Sequence, residues 1–206
     1  MARPTLMIDL QRCVGCMSCI VACKMENDVP VGNNLTRVET IGPDGTFPDG
    51  LRMYFFAHGC MHCNKPACVA VCPTGASHTR DDGLVVIDPD LCIACGTCMK
   101  ACPYGARSIS PVLNVAIKCE LCKQLIDNGG KPSCVKHCMA TARFFGDLDD
   151  PDNDIAQYLA QAGNQDRKTY MLQDMGTDPT VAYLEPKCGM LPEDIAFGAW
   201  FNEASQ

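Results

Sequence analysis

Sixteen cysteines stand in four groups, spaced as thiolate ligands are spaced around one small inorganic site. The first is Cys13, Cys16, Cys19 and Cys23; the second is Cys60, Cys63, Cys68 and Cys72. The third is Cys92, Cys95, Cys98 and Cys102, the fourth Cys119, Cys122, Cys134 and Cys138, and a seventeenth, Cys188, stands alone. Every group ends C-x3-C. In the run C-x2-C-x2-C-x3-C-P, the first three cysteines wrap one [4Fe–4S] cluster and the fourth ligates the other cluster of a two-cluster unit. The third group, ending Cys102-Pro103, matches in full, and the first differs only in having Lys24 in place of proline. The second widens the gap between Cys63 and Cys68 and ends Cys72-Pro73; the fourth opens Cys122 to Cys134 around Asn128-Gly-Gly-Lys-Pro132.

Zinc competes for such thiols. It prefers C-x2-C pairs a dozen or more residues apart that close one tetrahedral site. The fourth group alone fits that pattern, whereas the first and third place three cysteines within seven residues. Disulfides compete too, since cysteine makes up about 8% of the chain. The odd count of 17 and the repeated three-residue spacing oppose a bridged scaffold. Met1 to Ile8, with one Arg and no apolar h-region, is not expected to be a signal peptide. Without cysteine roughly 39% of the chain is apolar, below the range of an ordinary globular domain, so something other than a Leu/Ile/Val core must organise it. No apolar run reaches the roughly 18 residues of a membrane span, so no direct membrane insertion is expected. The net charge of −7, without a Lys/Arg tract, argues against a nucleic-acid partner. Each oxidised four-thiolate cluster would add a charge of about −2. Lys24, Lys100, Lys118, Lys123 and Lys136 lie near ligand cysteines and either offset that charge or are solvated. His58, His62, His78 and His137 are surplus to the ligand count; His62 either hydrogen-bonds near a cluster or is an ordinary, partly exposed histidine.

The chain repeats itself. Ile8-Asp9 precedes Cys13 by the distance at which Ile87-Asp88 precedes Cys92. Cys72-Pro-Thr-Gly-Ala76 is echoed by Cys102-Pro-Tyr-Gly-Ala106 and, more weakly, by Cys138-Met-Ala-Thr-Ala142. The expected fold is therefore α+β with little regular secondary structure: duplicated bacterial-ferredoxin-like two-cluster units with inserted loops and a C-terminal extension. Thr5–Ile8, Met53–Phe56 and Leu84–Ile87 are expected as short strands. A short helix carrying the fourth cysteine should open after each cysteine loop. Pro30 to Gly50 reads as a loop or weak hairpin. The acidic stretch Asp147–Asp154 should cap a helix over Ile155–Ala162 that Gly163 ends; the tail beyond, with Tyr170, Tyr183, Trp200 and Phe201, has too little periodicity to assign. Only the second and third groups carry the Cys-Pro ending, which pairs them and leaves the first with the fourth; the rival pairing, first with second and third with fourth, stays open on spacing alone.

These residues resemble the iron–sulfur subunit of the dimethyl sulfoxide reductase family, over about residues 5 to 185. The most specific parts are Cys60-Met-His-Cys63-Asn-Lys-Pro-Ala-Cys68 through Ala76, and Lys118-Cys119-Glu-Leu-Cys122 through Lys131-Pro-Ser-Cys134. Phe145-Gly-Asp-Leu-Asp-Asp-Pro151 and Thr177-Asp-Pro-Thr-Val-Ala-Tyr183 are similar to the segments that follow in that family. The resemblance implies four [4Fe–4S] clusters in the nested pairing: Cys13, Cys16, Cys19 and Cys138; Cys23, Cys119, Cys122 and Cys134; Cys60, Cys63, Cys68 and Cys102; Cys72, Cys92, Cys95 and Cys98. Cys138-Met139 departs from the family's Cys-Pro, and Cys95 is kept where some relatives replace a cysteine and hold a three-iron cluster. The expected division is an outer module, 1–52 plus 111–150, an inner module, 53–110, and an extension, 151–206, that docks to a catalytic subunit. No catalytic residue is expected. The implied partners are a large subunit with a bis-guanine-dinucleotide molybdenum (or tungsten) cofactor and a quinone-linked membrane subunit, with a free polyferredoxin as the alternative. The compartment is either the cytoplasm or that of a signal-bearing partner exported with it. Cys188 reads as a bystander: Cys188→Ser should leave the iron content unchanged, and a lost cluster would overturn the ligand assignment.

Overall fold

In the computed structural model, residues 3–48, 50–147 and 150–187 are described; Cys188, Trp200, Phe201 and residues 148–149 of the acidic stretch lie outside them. In chain order the elements are β1 (Thr5–Asp9), α1 (Ser18–Glu26), β2 (Thr36–Asp44), β3 (Arg52–Gly59), α2 (Ala67–Ala70), β4 (Ser77–Thr79), β5 (Val85–Ile87) and α3 (Thr97–Ala101). They continue with β6 (Ser108–Ile109), β7 (Ala116–Ile117), α4 (Lys123–Ile126), α5 (Ser133–Lys136), β8 (Arg143–Gly146), α6 (Asp154–Leu159), β9 (Thr169–Met171) and β10 (Ala182–Leu184). Most of these are only two to five residues long, because loops tied by cysteine every few residues leave little room for longer elements. Among the described residues no helix is long and apolar enough to cross a membrane.

The principal sheet runs β8-β1-β10-β9. β1 lies parallel to β10 and antiparallel to β8, so residues 5–9 are flanked by segments from far along the chain. β1 and β10 are buried along their whole length and on both faces, and the polar ends of β1, Thr5 and Asp9, are buried with hydrogen-bond partners. Side chains alternate across the sheet. Met7, Ala182 and Leu184 face Phe144 and, from α6, Ile155 and Tyr158. Leu6, Ile8 and Tyr183 face the other way, into the larger core with Phe56, Met61 and Leu121, on the side where the cysteines gather.

The smaller ladders connect the cysteine groups. β4 pairs with β5, β2 with β3, and β6 with β7, all antiparallel. One arrangement occurs twice. The N–H of Asp9, leading into the first group, bonds to Ala142 O (2.8 Å), just beyond the fourth group. The N–H of Asp88, leading into the third, bonds to Ala76 O (2.8 Å), just beyond the second. Each aspartate then turns the chain toward its cysteines by accepting a backbone N–H two residues on: Gln11 to Asp9 (2.8 Å) and Asp90 to Asp88 (2.9 Å). Helices follow the same pairing, α1 packing on α5 and α2 on α3.

Several expectations are corrected. The helix after each loop carries the third cysteine (Cys19, Cys68, Cys98, Cys134), and only α1 also holds the fourth, Cys23; Cys72, Cys102 and Cys138 lie just past their helices. Of the two readings of Pro30–Gly50 the hairpin holds in part: the segment supplies a nine-residue strand, β2, because β3 just beyond it offers a partner ladder despite the turn-rich composition. The acidic stretch does cap α6, through Asn153, whose side chain accepts from the N–H groups of Ile155 and Ala156, but the helix ends at Leu159 rather than at Ala162. The unassigned tail supplies β9 and β10, the latter a central strand specified by tertiary pairing rather than by periodicity.

Asp9 is fully buried and ion-paired to Arg167 (Nη1–Oδ2 2.9 Å), and it accepts the Tyr158 hydroxyl at 2.5 Å. Burial alone would raise its carboxyl, but the bonds from Arg167 and Tyr158 hold it below the ordinary value of 3.8. Its stabilisation is therefore present above pH 3.8 and is lost as pH falls through the lower folded value. Asp9→Asn, which leaves Arg167 buried without its counter-charge, should cost about 3–5 kcal/mol in denaturant unfolding at pH 7. The difference from wild type should shrink under acid.

Candidate functional site

In every group the residue before the second cysteine takes a left-handed backbone: Gly15 (φ 65°), His62 (43°), Ala94 (53°) and Leu121 (54°). That turn folds successive N–H groups toward one side, the concave arrangement that receives sulfide and thiolate charge in iron–sulfur sites. Only Gly15 adopts it without steric cost. At the other three positions the cost of about 1 kcal/mol or more is offset by the surrounding packing.

These turns place the thiols around hollows. Cys13, Cys16, Cys19 and Cys138 line one, together with Ile8 and Arg143. Cys23, Cys119, Cys122 and Cys134 line a second, roofed by Leu6, Ile8 and Tyr183 and bordered by Cys60. Cys72, Cys92, Cys95 and Cys98 line a third, with Arg107 and Ala116. Cys63 has Cys60, Cys102 and Cys68 as its interacting sulfur neighbours, which gathers the remaining four. Backbone N–H groups point at the sulfurs: Ala142 to Cys138 (3.2 Å), Ser77 to Cys72 (3.3 Å) and Ala116 to Cys92 (3.3 Å). The Asn27 amide reaches both Cys23 (3.7 Å) and Cys122 (3.6 Å). All sixteen described cysteines are free thiols, and Cys188 lies outside the described residues.

The electrostatics of the thiols fit a multi-thiolate cofactor. Burial pushes Cys13, Cys68, Cys102, Cys119 and Cys134 up. Burial and then the neighbouring sulfurs Cys134 and Cys122 take Cys23 to about 12, and Cys63 rises to about 11, again first through burial. Thiols in such company ionise together only when a positive centre takes up their charge. Cys60 is the exception: burial raises it, but the Lys118 charge and then His62 outweigh burial and hold it at about 5. The exposed Cys16 and Cys95 are lowered, first by the Ser18 and Thr97 hydroxyls beside them.

Among the described residues three buried polar atoms have no hydrogen-bond partner: His62 Nε2, Arg107 Nη1 and Tyr183 Oη. All three belong to residues beside cysteines, where a sulfide-rich cluster would supply acceptors. Among the described residues no three His, Cys, Asp or Glu side chains converge tightly enough to hold one metal ion, so the quartets surround hollows rather than points. The residues present therefore fit [4Fe–4S] clusters.

Histidine and lysine expectations divide. His62 is buried rather than partly exposed, its Nδ1 accepting the Val85 N–H at 3.3 Å. Of the five lysines only Lys118 is buried; Lys123 pairs with Glu120 at 2.6 Å, Lys24 binds the carbonyls of Pro30 and Asn33, and Lys100 and Lys136 are exposed. Sequence reasoning missed the two buried arginines. Arg107 donates to Cys68 Sγ at 2.9 Å and Ser77 Oγ at 2.8 Å, and Arg143 donates to Thr36 Oγ1 at 3.0 Å beside Cys134. The signal was one residue beyond the echo: Arg107 follows Ala106 and Arg143 follows Ala142, each five residues after the last cysteine of its group.

Comparison with known proteins agrees with this site. A family model described as a 4Fe-4S dicluster domain matches residues 51–148, and a 4Fe-4S binding domain matches residues 10–26. The sequence is 39% identical to an iron–sulfur subunit assigned to a dimethyl sulfoxide reductase in Halobacterium salinarum, with 87% of this sequence and 78% of the relative covered. It is 38% identical to a tetrathionate reductase subunit of Salmonella typhimurium (88% and 72% covered) and 37% identical to a polysulfide reductase chain of Wolinella succinogenes (88% and 93%).

A Cβ on Gly15 would lie 2.5 Å from the Phe55 ring, on a backbone already left-handed. Gly15→Ala should therefore destabilise the fold by about 1–3 kcal/mol in thermal unfolding. It should also weaken iron retention at the Cys13 loop before the other loops.

Proposed function

This protein belongs to the iron–sulfur subunits of the dimethyl sulfoxide reductase family of molybdopterin oxidoreductases, and from this premise we propose that it holds four [4Fe–4S] clusters and relays electrons through a larger complex. The chain is the electron-transfer subunit; catalysis belongs to a large molybdenum (or tungsten) bis-guanine-dinucleotide partner, with a quinone-linked membrane subunit as the other contact. The proposed ligand sets are Cys13, Cys16, Cys19 and Cys138; Cys23, Cys119, Cys122 and Cys134; Cys60, Cys63, Cys68 and Cys102; and Cys72, Cys92, Cys95 and Cys98. Three of them are supported by hollows in which three cysteines of one group meet one of another, with Cys60 at the border of the second, and the remaining one by the interaction of Cys60, Cys68 and Cys102 with Cys63. When bound, such clusters accept and release single electrons.

The chain's own residues do the rest. The thiolates hold the clusters, the N–H groups of Ser77, Ala116 and Ala142 stabilise charge on sulfur, and Leu6, Ile8 and Tyr183 keep water from the second hollow. Among the described residues Cys16 and Cys95 are the exposed cysteines, in the first and third groups, and so offer the two ends of a relay. Exposed Val14, Val21 and Met25 lie near Cys16 in the chain, Met139 follows Cys138 of the same hollow, and Leu91 and Ile93 lie near Cys95, apolar surface suited to partner subunits. Duplication into an outer module, 1–52 plus 111–150, and an inner one, 53–110, is supported by the twice-used aspartate bond to the residue beyond the partner group. The extension, 151–206, is proposed to dock to the catalytic subunit.

Iron and acid-labile sulfide analysis of the anaerobically purified complex should give about sixteen of each per chain, and Cys138→Ser should perturb or remove one cluster only. About eight iron would reduce the reading to a single two-cluster unit. Co-purification with a large molybdenum subunit is expected; a soluble, redox-active monomer free of any partner would point to a shuttling polyferredoxin instead.

A further inference from the structure

Three cationic side chains are nine-tenths or more buried among the thiols: Arg107 (6% exposed), Lys118 (2%) and Arg143 (5%). Among the described residues none of them pairs with a carboxylate; the ion pairs involve other residues. A buried cation without a counter-charge is costly, so each requires negative charge nearby. The thiolates and sulfides of bound clusters would supply it.

Each cation lies in a different gap. Arg143 lines both the hollow of Cys13, Cys16, Cys19 and Cys138 and that of Cys23, Cys119, Cys122 and Cys134. It is oriented by Thr36 and interacts with Cys134 and Cys19, one from each quartet. Lys118 is held by the carbonyls of Val85 and of Cys119 (2.9 Å), so its ammonium is tied to the second quartet. Its charge acts on Cys60 and Cys68 of the third. Arg107 bonds Cys68 Sγ of the third quartet and Ser77, whose own N–H bonds Cys72 Sγ of the fourth. It also lines the hollow of that fourth quartet and interacts with Cys98. The two arginines occupy one position of the internal repeat, the fifth residue after the last cysteine of a group, and Ser77 occupies it after Cys72.

We propose that Arg143, Lys118 and Arg107 are gap cations, one between each successive pair of quartets, each raising the reduction potential of the two clusters it separates. The inference rests on the four-cluster reading above. Its physical basis is direct: one-electron reduction adds a negative charge to a site already carrying about −2, and a fixed positive charge in a low-dielectric interior favours that reduced state. A cation shared by two neighbours also offsets the repulsion that reduction of one would impose on the other. These are positioning residues and carry no electrons themselves.

The test is a mediated dithionite titration of the intact complex, each cluster followed by its EPR signal, with iron counted in the same sample. Arg143→Gln, which keeps a donor but removes the charge, should lower the potentials of the two clusters flanking it and leave the other two in place; Arg143→Lys should restore them. Arg107→Gln and Lys118→Met should do the same at their own gaps, so that a variant unable to retain iron leaves two independent readings. Full iron with all potentials unmoved, or an equal shift at all four clusters, would overturn the proposal. Fewer than four clusters in the wild-type chain would instead remove the reading on which it rests.

Discussion

Each hollow is completed by a cysteine from another group, and that requirement governs the rest of the structure. A loop of three cysteines can form locally. A quartet cannot, because its last member arrives on a segment tens of residues away in sequence. The chain therefore needs backbone contacts that bring each loop to its partner's end before any cofactor could be enclosed. β1 with β8 serves the first and fourth groups, and β4 with β5 serves the second and third. The twin bonds from Asp9 to Ala142 and from Asp88 to Ala76 fix register at the point where each loop begins.

The principal sheet separates two kinds of interior. Toward α6 it buries an ordinary apolar cluster of Met7, Phe144, Ile155, Tyr158 and Leu184. Toward the cysteines, its side chains become walls of the hollows, and polar groups are admitted only with a partner or beside a thiol. Asp9 and Arg167 meet at the end of β1, so the ion pair that stabilises the sheet also anchors the turn into Cys13. Stability and the shape of the first loop are thus set by the same few atoms.

The cysteine spacing made the gathered thiols readable, because ligand convergence constrains sequence far more tightly than secondary structure does. The short strands at Thr5, Met53 and Leu84 were readable for a related reason, since each leads straight into a group. The helices were misplaced by several residues because a four-residue turn needs little propensity and is positioned by the cysteine it carries. β2 and β10 were hidden: Gly, Pro and Asp in one, and only three residues in the other, leave pairing with a distant strand as the sole determinant. Arg107 and Arg143 were visible as a repeat, but their burial was not, because surface and buried arginines look alike in sequence. His62 is a similar case, its burial decided by a contact with Val85 across the fold.

β10 lies parallel to β1, pairing Met7 with Ala182 and Asp9 with Leu184. During synthesis β1 leaves the ribosome long before β10 does, so the edge that β10 covers stays unpaired while all four cysteine groups are made. Val181 and Tyr183, which wall the second hollow, are the last of its lining residues to be made, so that wall is missing until β10 pairs. Pairing of β10 with β1 then closes that wall. Order of synthesis thus sets the order in which the walls of that hollow come together.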